Sequence, residues 1–485
     1  MISFTWKYSI FQVIQIFIII CYFLQFLFCI GFGYNDVTIN ILQYELLLIF
    51  LWSLFSAIHE SGTFNLYVLF LYMLCVFIYS RIFLDIYGLF NWTWADKYND
   101  FIFPINVQFQ ILILLTFSLL FMHLGCLMGR KYLSYRKINF EYSRYLDKIS
   151  TFLFLFSVPG TFIKYLIQFK AVLEHGYLAV YDGTIANLKY PIWTTGAISK
   201  IKRRILLLSV LFLFLYASVG NGRGGLIVFL FYCFIIYYLR RELYYINLLA
   251  SKRKKWNFGV VSFVCLFVGV GIIVVVISYM TAQRMGFDTF SAEVVKIGFE
   301  ELKSQAVWYF LGPFRALDYS FRANYESITG FWYGRATMGG IDNLLKLVIH
   351  YLGGSYTIAH DEIGHLLQNS KISVGNGIIF NYAYTNIIFH YLDFGYVGVL
   401  LFPFLYGFIV RYSIYKFTQK PTLLTLGIMI YLVYISMFNI FSWEFQKPSS
   451  IIYVLLLLFF QYVYSHKFVI LKLNGKKKGL CRHEC

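Results

Sequence analysis

The sequence predicts an all-α polytopic membrane protein with about 11–12 transmembrane helices and one large external loop. Three observations carry this. Of 485 residues, 60% are apolar, 21% aromatic and only 13% charged, whereas soluble domains carry roughly 25% charged residues. The apolar residues come in blocks of about 20, long enough to cross ~30 Å of hydrocarbon. The basic residues lie in short clusters between those blocks, the positive-inside pattern of an integral membrane protein. Lipid offers backbone polar groups no water, so spans are helices or closed barrels. The ~10-residue alternating segments of a barrel do not occur in this sequence.

The spans follow in order at about 9–31, 39–58, 64–84, 108–129, 149–168, 204–219, 225–239, 258–279, 393–412, 421–441 and 449–469. The first is read as a span, because no small-residue cleavage site marks it as a removed signal. Six cysteines lie within spans and Cys481 and Cys485 in the tail, so no disulfide framework is implied. The tail CRHEC is read as solvated, not as a metal site. The division is an N-terminal bundle at 1–279, an external loop domain at 280–392, C-terminal helices at 393–470 and a basic cytoplasmic tail at 471–485.

A net charge of +18 invites a nucleic-acid partner, but the interleaving of basic clusters with apolar blocks argues for membrane lipid instead. Clusters at 130–148, 200–204, 240–255, 411–420 and 472–482 all fall on the cytoplasmic side only if one more crossing is added. Thr184–Ser199 supplies it, interrupted by Lys189 and Pro191. Broken helices are tolerated where they line a protein cavity. Both chain ends are then cytoplasmic.

On that topology 204–239 is a hairpin whose tip, 220–225, faces outward. The tip has the spacing Gly220-x-Gly222-x-x-Gly225 of a dinucleotide loop. That loop needs a strand before it, a helix after it and cytoplasmic cofactor. Membrane helices on both flanks exclude it, and no cofactor is expected. The glycines allow a tight turn and close approach of a ligand to the backbone, and they bracket one cation, Arg223.

The external loop, 280–392, holds eight Lys/Arg and nine Asp/Glu and is too polar to span, yet too aromatic for a linker. A folded domain resting partly on the membrane fits, because aromatic residues favour the lipid–water boundary. Arg284 in QRMG, Arg315 in LGPFRALD and Arg335 in YGRATMGG each sit beside glycine or turn residues. With Arg223 they are candidates for a diphosphate site, since the planar guanidinium fork matches phosphate oxygens. Ordinary salt bridges are the alternative for the loop arginines. For Arg81 and Lys164, near outer span ends, it is snorkelling to the interface. His360-Asp361-Glu362-Ile363-Gly364-His365 suggests a metal site at first sight. Its histidines are five apart, ~140° out of phase on a helix, so no metal is assigned. His360, Asp361 and Glu362 are instead candidates for proton transfer, against an ordinary solvated loop. Glu45, inside the second span, is open between a cavity residue and a snorkelling one.

The ordered set of His175-Gly176-Tyr177, a Gly-x-Arg-Gly hairpin tip, a long outer loop and Asn381–Gly407 resembles the Wzy-type oligosaccharide repeat-unit polymerases of O-antigen, capsule and exopolysaccharide assembly. The most telling part is Asp393-Phe394-Gly395-x-x-Gly398 at the entrance to a span. The resemblance covers roughly 170–410 in motif order. Where serine usually precedes the tip arginine, this chain has Gly222.

The resemblance implies a GT-C-like fold in the bacterial inner membrane, with the active site facing outward. It implies transfer of a growing glycan from undecaprenyl diphosphate onto the next lipid-linked repeat unit, with neither nucleotide sugar nor metal. A chain-length regulator is a candidate partner. In that chemistry Arg223, Arg284, Arg315 and Arg335 would stabilise the departing diphosphate. His360, Asp361 or Glu362 would take the proton of the acceptor hydroxyl, with Asp393 as runner-up. An O-antigen ligase would use the same donor with another acceptor. A lipid-linked oligosaccharide flippase would be expected to have short loops and repeated halves, which this sequence lacks, and a non-catalytic scaffold is the third rival.

Overall fold

Apolar runs and their breaks set the elements of the computed structural model. It describes residues 10–61, 66–87, 93–95, 100–129, 274–283, 285–287, 289–322, 331–366, 372–373, 379–380, 386–419 and 450–459, with scattered positions at 159–170, at 271 and at 425–462. The chain divides into two compact units, one formed by Met1–Arg136 and Trp308–Cys485, the other by Lys137–Val307.

In the first unit, α1 (Ile10–Phe32) and α2 (Asp36–Ser61) are joined by a short turn. Gly33 has φ +85° there, and the Asn35 side chain accepts the Thr38 amide at 3.0 Å to start α2. Such a cap satisfies an amide that the helix leaves unpaired. A third helical run begins as α3 (Leu66–Leu74), widens to a π turn at Cys75–Tyr79 and continues as α4 (Ser80–Ile86). Strands β1 (Thr93–Ala95) and β2 (Asp100–Ile102) pair antiparallel ahead of α5 (Ile105–Met128). Beyond α6 (Val274–Gln283) and α7 (Ala292–Arg322), the unit contains α8 (Gly339–Tyr351), α9 (Ala359–Leu366), the antiparallel pair β3 (Ile372–Ser373) and β4 (Ile379–Phe380), α10 (Asn386–Gln419) and α11 (Ser450–Phe459).

Helix α5 is the centre of this unit, buried along most of its length. It meets α10 at backbone contact: a Cβ on Gly125 would strike the Phe404 carbonyl, and one on Gly407 the Met122 carbonyl. Small residues at such crossings let membrane helices approach closely where no hydrophobic effect drives them together. Polar side chains tie the other spans on. Gln15 of α1 donates to the Leu120 carbonyl at 2.8 Å and accepts the Trp52 indole at 2.9 Å. His123 sits between the Ser56 hydroxyl at 2.6 Å and the Tyr67 hydroxyl at 3.2 Å.

In the second unit, α6 (Val274–Gln283) packs against the first part of α7 (Ala292–Arg322), where Gly298 leaves room for the Ser278 carbonyl. The remainder of α7, from Trp308, belongs to the first unit.

Helix dominates the described residues, relieved by the two short ladders. Among the described residues, four helices are long and apolar enough to cross a membrane: Ile10–Phe32, Asp36–His59, Ile105–Met128 and Asn386–Lys416. The first three match spans expected at 9–31, 39–58 and 108–129. The fourth contains the span expected at 393–412: helix begins at Asn386, breaks at Phe394 and Gly395 directly after Asp393, and continues to Gln419. Arg81 does not snorkel outward. It is buried, with its guanidinium 5.8 Å from the Phe103 ring and 6.0 Å from that of Phe314. Glu45 is half-buried and accepts the Gln25 amide at 2.8 Å. The crossing expected at Thr184–Ser199, the hairpin 204–239 with Arg223, Lys164, Arg284 and the basic tail lie outside the described residues.

Candidate functional site

Six consecutive residues, Trp332–Thr337, organise the part of the segment 331–366 nearest α10. Tyr333 and Gly334 both have positive φ, at 50° and 93°. Glycine adopts that conformation freely, while a tyrosine there is strained and must be held by its surroundings. The turn closes with the Arg335 amide on the Trp332 carbonyl at 3.1 Å and the Met338 amide on the Gly334 carbonyl at 2.8 Å.

Its inner side lies against a break in α10. Phe394 (φ −145°, ψ 21°) and Gly395 (φ 57°, ψ −140°) depart from helical geometry. Gly395 therefore supplies a conformation closed to residues with a Cβ. Gly398 lies so close to the His390 carbonyl that a Cβ would collide with it. The kink exposes carbonyls of the broken turn, and the loop uses them: the amides of Trp332 and Tyr333 reach the carbonyls of Leu392 and Asp393, each at 3.3 Å. The Asp393 carboxylate is buried and accepts the Ala336 amide at 2.9 Å and the Thr337 amide at 2.6 Å, one on each oxygen. His390, also buried, meets the Thr337 hydroxyl at 3.2 Å. Each residue of the Asp-Phe-Gly-x-x-Gly motif outside its variable positions thus has a place: an amide acceptor, a ring against Tyr333, a positive-φ turn and a close backbone contact.

The outer side of the turn carries Arg335. Its Nε donates to Asp342 Oδ1 at 3.1 Å, its Nη2 to the Thr357 carbonyl at 2.6 Å, and its guanidinium lies 5.2 Å from the Tyr356 ring centre. Asp342 is the hub. Its side chain is 3% exposed against 37% for Arg335, and it also accepts the Ala359 amide at 2.7 Å and the Tyr356 hydroxyl. Desolvation works to lower the pKa of Arg335. The hydrogen bond and charge of Asp342, with Tyr356 and Glu362, outweigh it and hold the guanidinium above its ordinary value. Burial, then the bond to and charge of Asp342, push the Tyr356 phenol up.

Bonding of the Ala359 amide to Asp342 fixes the start of α9, which carries the expected proton-transfer residues. Glu362 accepts the Trp332 indole N–H at 2.8 Å, and its charge is felt at Arg335. Asp361 pairs with Lys346 of α8 at 3.1 Å. His360 is exposed. A chain of contacts through Trp332–Thr337 therefore links Arg335, Glu362 and Asp393, which lie far apart in sequence. Arg315 falls within α7.

Sequence reasoning did not find Asp342, Tyr356, Thr337 or His390. Asp342 reads as an ordinary charge on an amphipathic helix. The usable signal was the adjoining pair Gly339-Gly340, buried together with Asp342 at the start of α8.

What this arrangement offers chemically is a half-exposed guanidinium in a fixed orientation and, bonded to the same turn, a carboxylate held by an indole. The first suits a phosphate oxygen; the second suits a hydroxyl proton. A family model described as O-antigen polysaccharide polymerase Wzy matches residues 14–474, nearly the whole chain. Neither the curated proteins nor the solved structures give a match.

Proposed function

Because the chain belongs to the O-antigen polysaccharide polymerase Wzy family, we propose that it joins undecaprenyl-diphosphate-linked repeat units at the outer face of the bacterial inner membrane, on a GT-C-like scaffold and without a metal. Its membership makes it a membrane polymerase of O-antigen repeat units. The donor carrier, the membrane face and the residue roles are our reading.

The acceptor hydroxyl attacks the anomeric carbon of the donor glycan. The new glycosidic C–O bond forms as the C–O bond to the lipid diphosphate breaks, and that bond's electron pair leaves with the diphosphate. Arg335 binds the departing oxygens through N–H groups beyond the two given to Asp342 and Thr357. Preorganised cations of this kind stabilise charge where it develops. Glu362 takes the hydroxyl proton. Its indole partner fixes the carboxylate, and geometry favours it over Asp361, which is paired with Lys346. Asp393 is assigned a positioning role, since both its oxygens are engaged by backbone amides. Arg223, Arg284 and Arg315 stay proposed as further phosphate ligands on their sequence settings.

The observation that carries this reading is the placement of Arg335 and Glu362 on one bonded cluster. Glu362→Gln keeps the indole contact and removes the base. Cells carrying it should attach single repeat units in place of a polymer ladder. A ladder of normal length would remove Glu362 from the reaction, and polymer that accumulates unattached would mark a ligase instead.

A further inference from the structure

Helix α8 has two unlike sides, and one of them is left exposed among the described residues. Met338, Ile341, Leu345, Val348 and Leu352 recur at spacings of three and four, so they form one stripe along a 3.6-residue period. All five are exposed, Leu352 at 82%. The opposite side carries Asp342 and Lys346, which face α9 through the Ala359 amide and Asp361, together with Asn343, His350 and one exposed apolar residue, Leu347.

Lipid accounts for exposed apolar residues on the four long helices. It cannot do so in the same way here, because 13 residues make a helix of only about 20 Å against ~30 Å of hydrocarbon. The helix is nevertheless tied to one of the long apolar helices, at its break. It starts two residues after Thr337, whose amide is bonded to Asp393 in the spanning helix α10. Exposed tyrosines flank it at both ends, Tyr333 at 75% and Tyr351 at 94%, and tyrosine is enriched at headgroup depth. A continuous apolar stripe, a polar face turned to the rest of the domain, and aromatic residues at each end are the features of a helix lying in the interface plane.

We infer that α8 is an interfacial helix, its Met338–Leu352 stripe seated in the outer leaflet among acyl chains and its Asp342–Lys346 face turned away from lipid. Such a helix sinks about 5–10 Å into the headgroup boundary. Joined to the diphosphate reading of Arg335, on which this consequence rests, α8 fixes the guanidinium at the depth where a lipid diphosphate presents its charge. The apolar stripe then sets the height of the site, and the Arg335–Asp342 bond transmits it.

The test places a diazirine-bearing amino acid of aliphatic size at Leu345, Val348 or Leu352, and in parallel at Asn343 or His350, in the full chain in native membranes. On irradiation, phospholipid adducts are expected at the first three positions, with loss of that mass shift at the other two. Water adducts alone at the stripe positions, cross-linking to a second copy or to another protein there, or lipid adducts on both faces would each overturn the inference. Adduct formation does not depend on turnover, so this result stands apart from that of Glu362→Gln.

Discussion

Arg335 and Asp342 are joined by a 3.1 Å bond from Nε to Oδ1, and Asp342 Oδ2 simultaneously holds the Ala359 amide at 2.7 Å. One buried carboxylate therefore orients the cation and starts the helix that bears the proposed base. Replacing it strands a buried amide, at a cost of about 1–3 kcal/mol. Asp342→Ala should accelerate hydrogen exchange at Ala359 by roughly 5- to 150-fold, at about 1.4 kcal/mol per tenfold change, and abolish polymer with the protein still inserted. Unchanged exchange at Ala359 would show that the amide is held by something else.

Arg335→Lys keeps the charge and loses the fork. Lysine cannot reach Asp342 and the Thr357 carbonyl together with the same planar geometry. The expected outcome is a strongly shortened or absent glycan ladder, nearly as severe as with Arg335→Ala. A ladder restored by lysine alone would mean that charge, not geometry, is what the position supplies.

Gly395 stands at φ 57°, ψ −140° beside an anchored Asp393. Gly395→Ala should cost on the order of 1–3 kcal/mol in backbone strain, and Asp393→Ala should free the Ala336 and Thr337 amides. Both are expected to speed proteolysis within 331–338 and to reduce polymer together. Polymer lost in Asp393→Ala with amide protection at 336 and 337 intact would point to direct chemistry by that carboxylate.

The raised pKa of Tyr356 gives a pH dependence of defined sign. A phenol whose folded value lies above its unfolded one, ~10, adds stability that is complete below that unfolded value. The contribution is lost as pH rises through the folded value. Hydrogen exchange at Ala359 should therefore accelerate in excess of its intrinsic base catalysis only at strongly alkaline pH. Tyr356→Phe should remove that excess, and an excess that persists in the variant would assign it to another group.

Arg223→Ala is expected to abolish polymer while leaving membrane insertion intact, because a tip bounded by Gly222 and Gly224 has no need of a cation for its own fold. Polymerisation in washed membranes should also continue in EDTA. Activity lost on chelation and restored by one divalent metal would replace the arginines as the charge stabiliser.

Hydropathy made the four long apolar helices among the described residues legible, because lipid forces long apolar runs into helices whatever their neighbours. It did not show how Asp393, at the break in α10, is satisfied, because the two amides that reach it come from a loop 56 and 57 residues earlier. Arg81 went astray likewise: its aromatic partners Phe103 and Phe314 lie on other elements. Glycines were legible as permissive positions, but not which ones serve packing, as Gly125 and Gly407 do, and which serve a turn, as Gly395 does.

By itself the amino-acid order determined that this chain crosses membranes, where its cations cluster, and the motif by which its family is recognised. Each of these is written in local composition and short spacing. The division of labour among the carboxylates was decided only by the tertiary structure. Asp393 and Asp342 are anchors because backbone amides from other segments reach them, while Glu362 is held by the indole of a tryptophan thirty residues away, on the turn that carries Arg335. A carboxylate's role follows from what surrounds it, and in this protein those surroundings are assembled by a turn that no periodicity in the sequence describes.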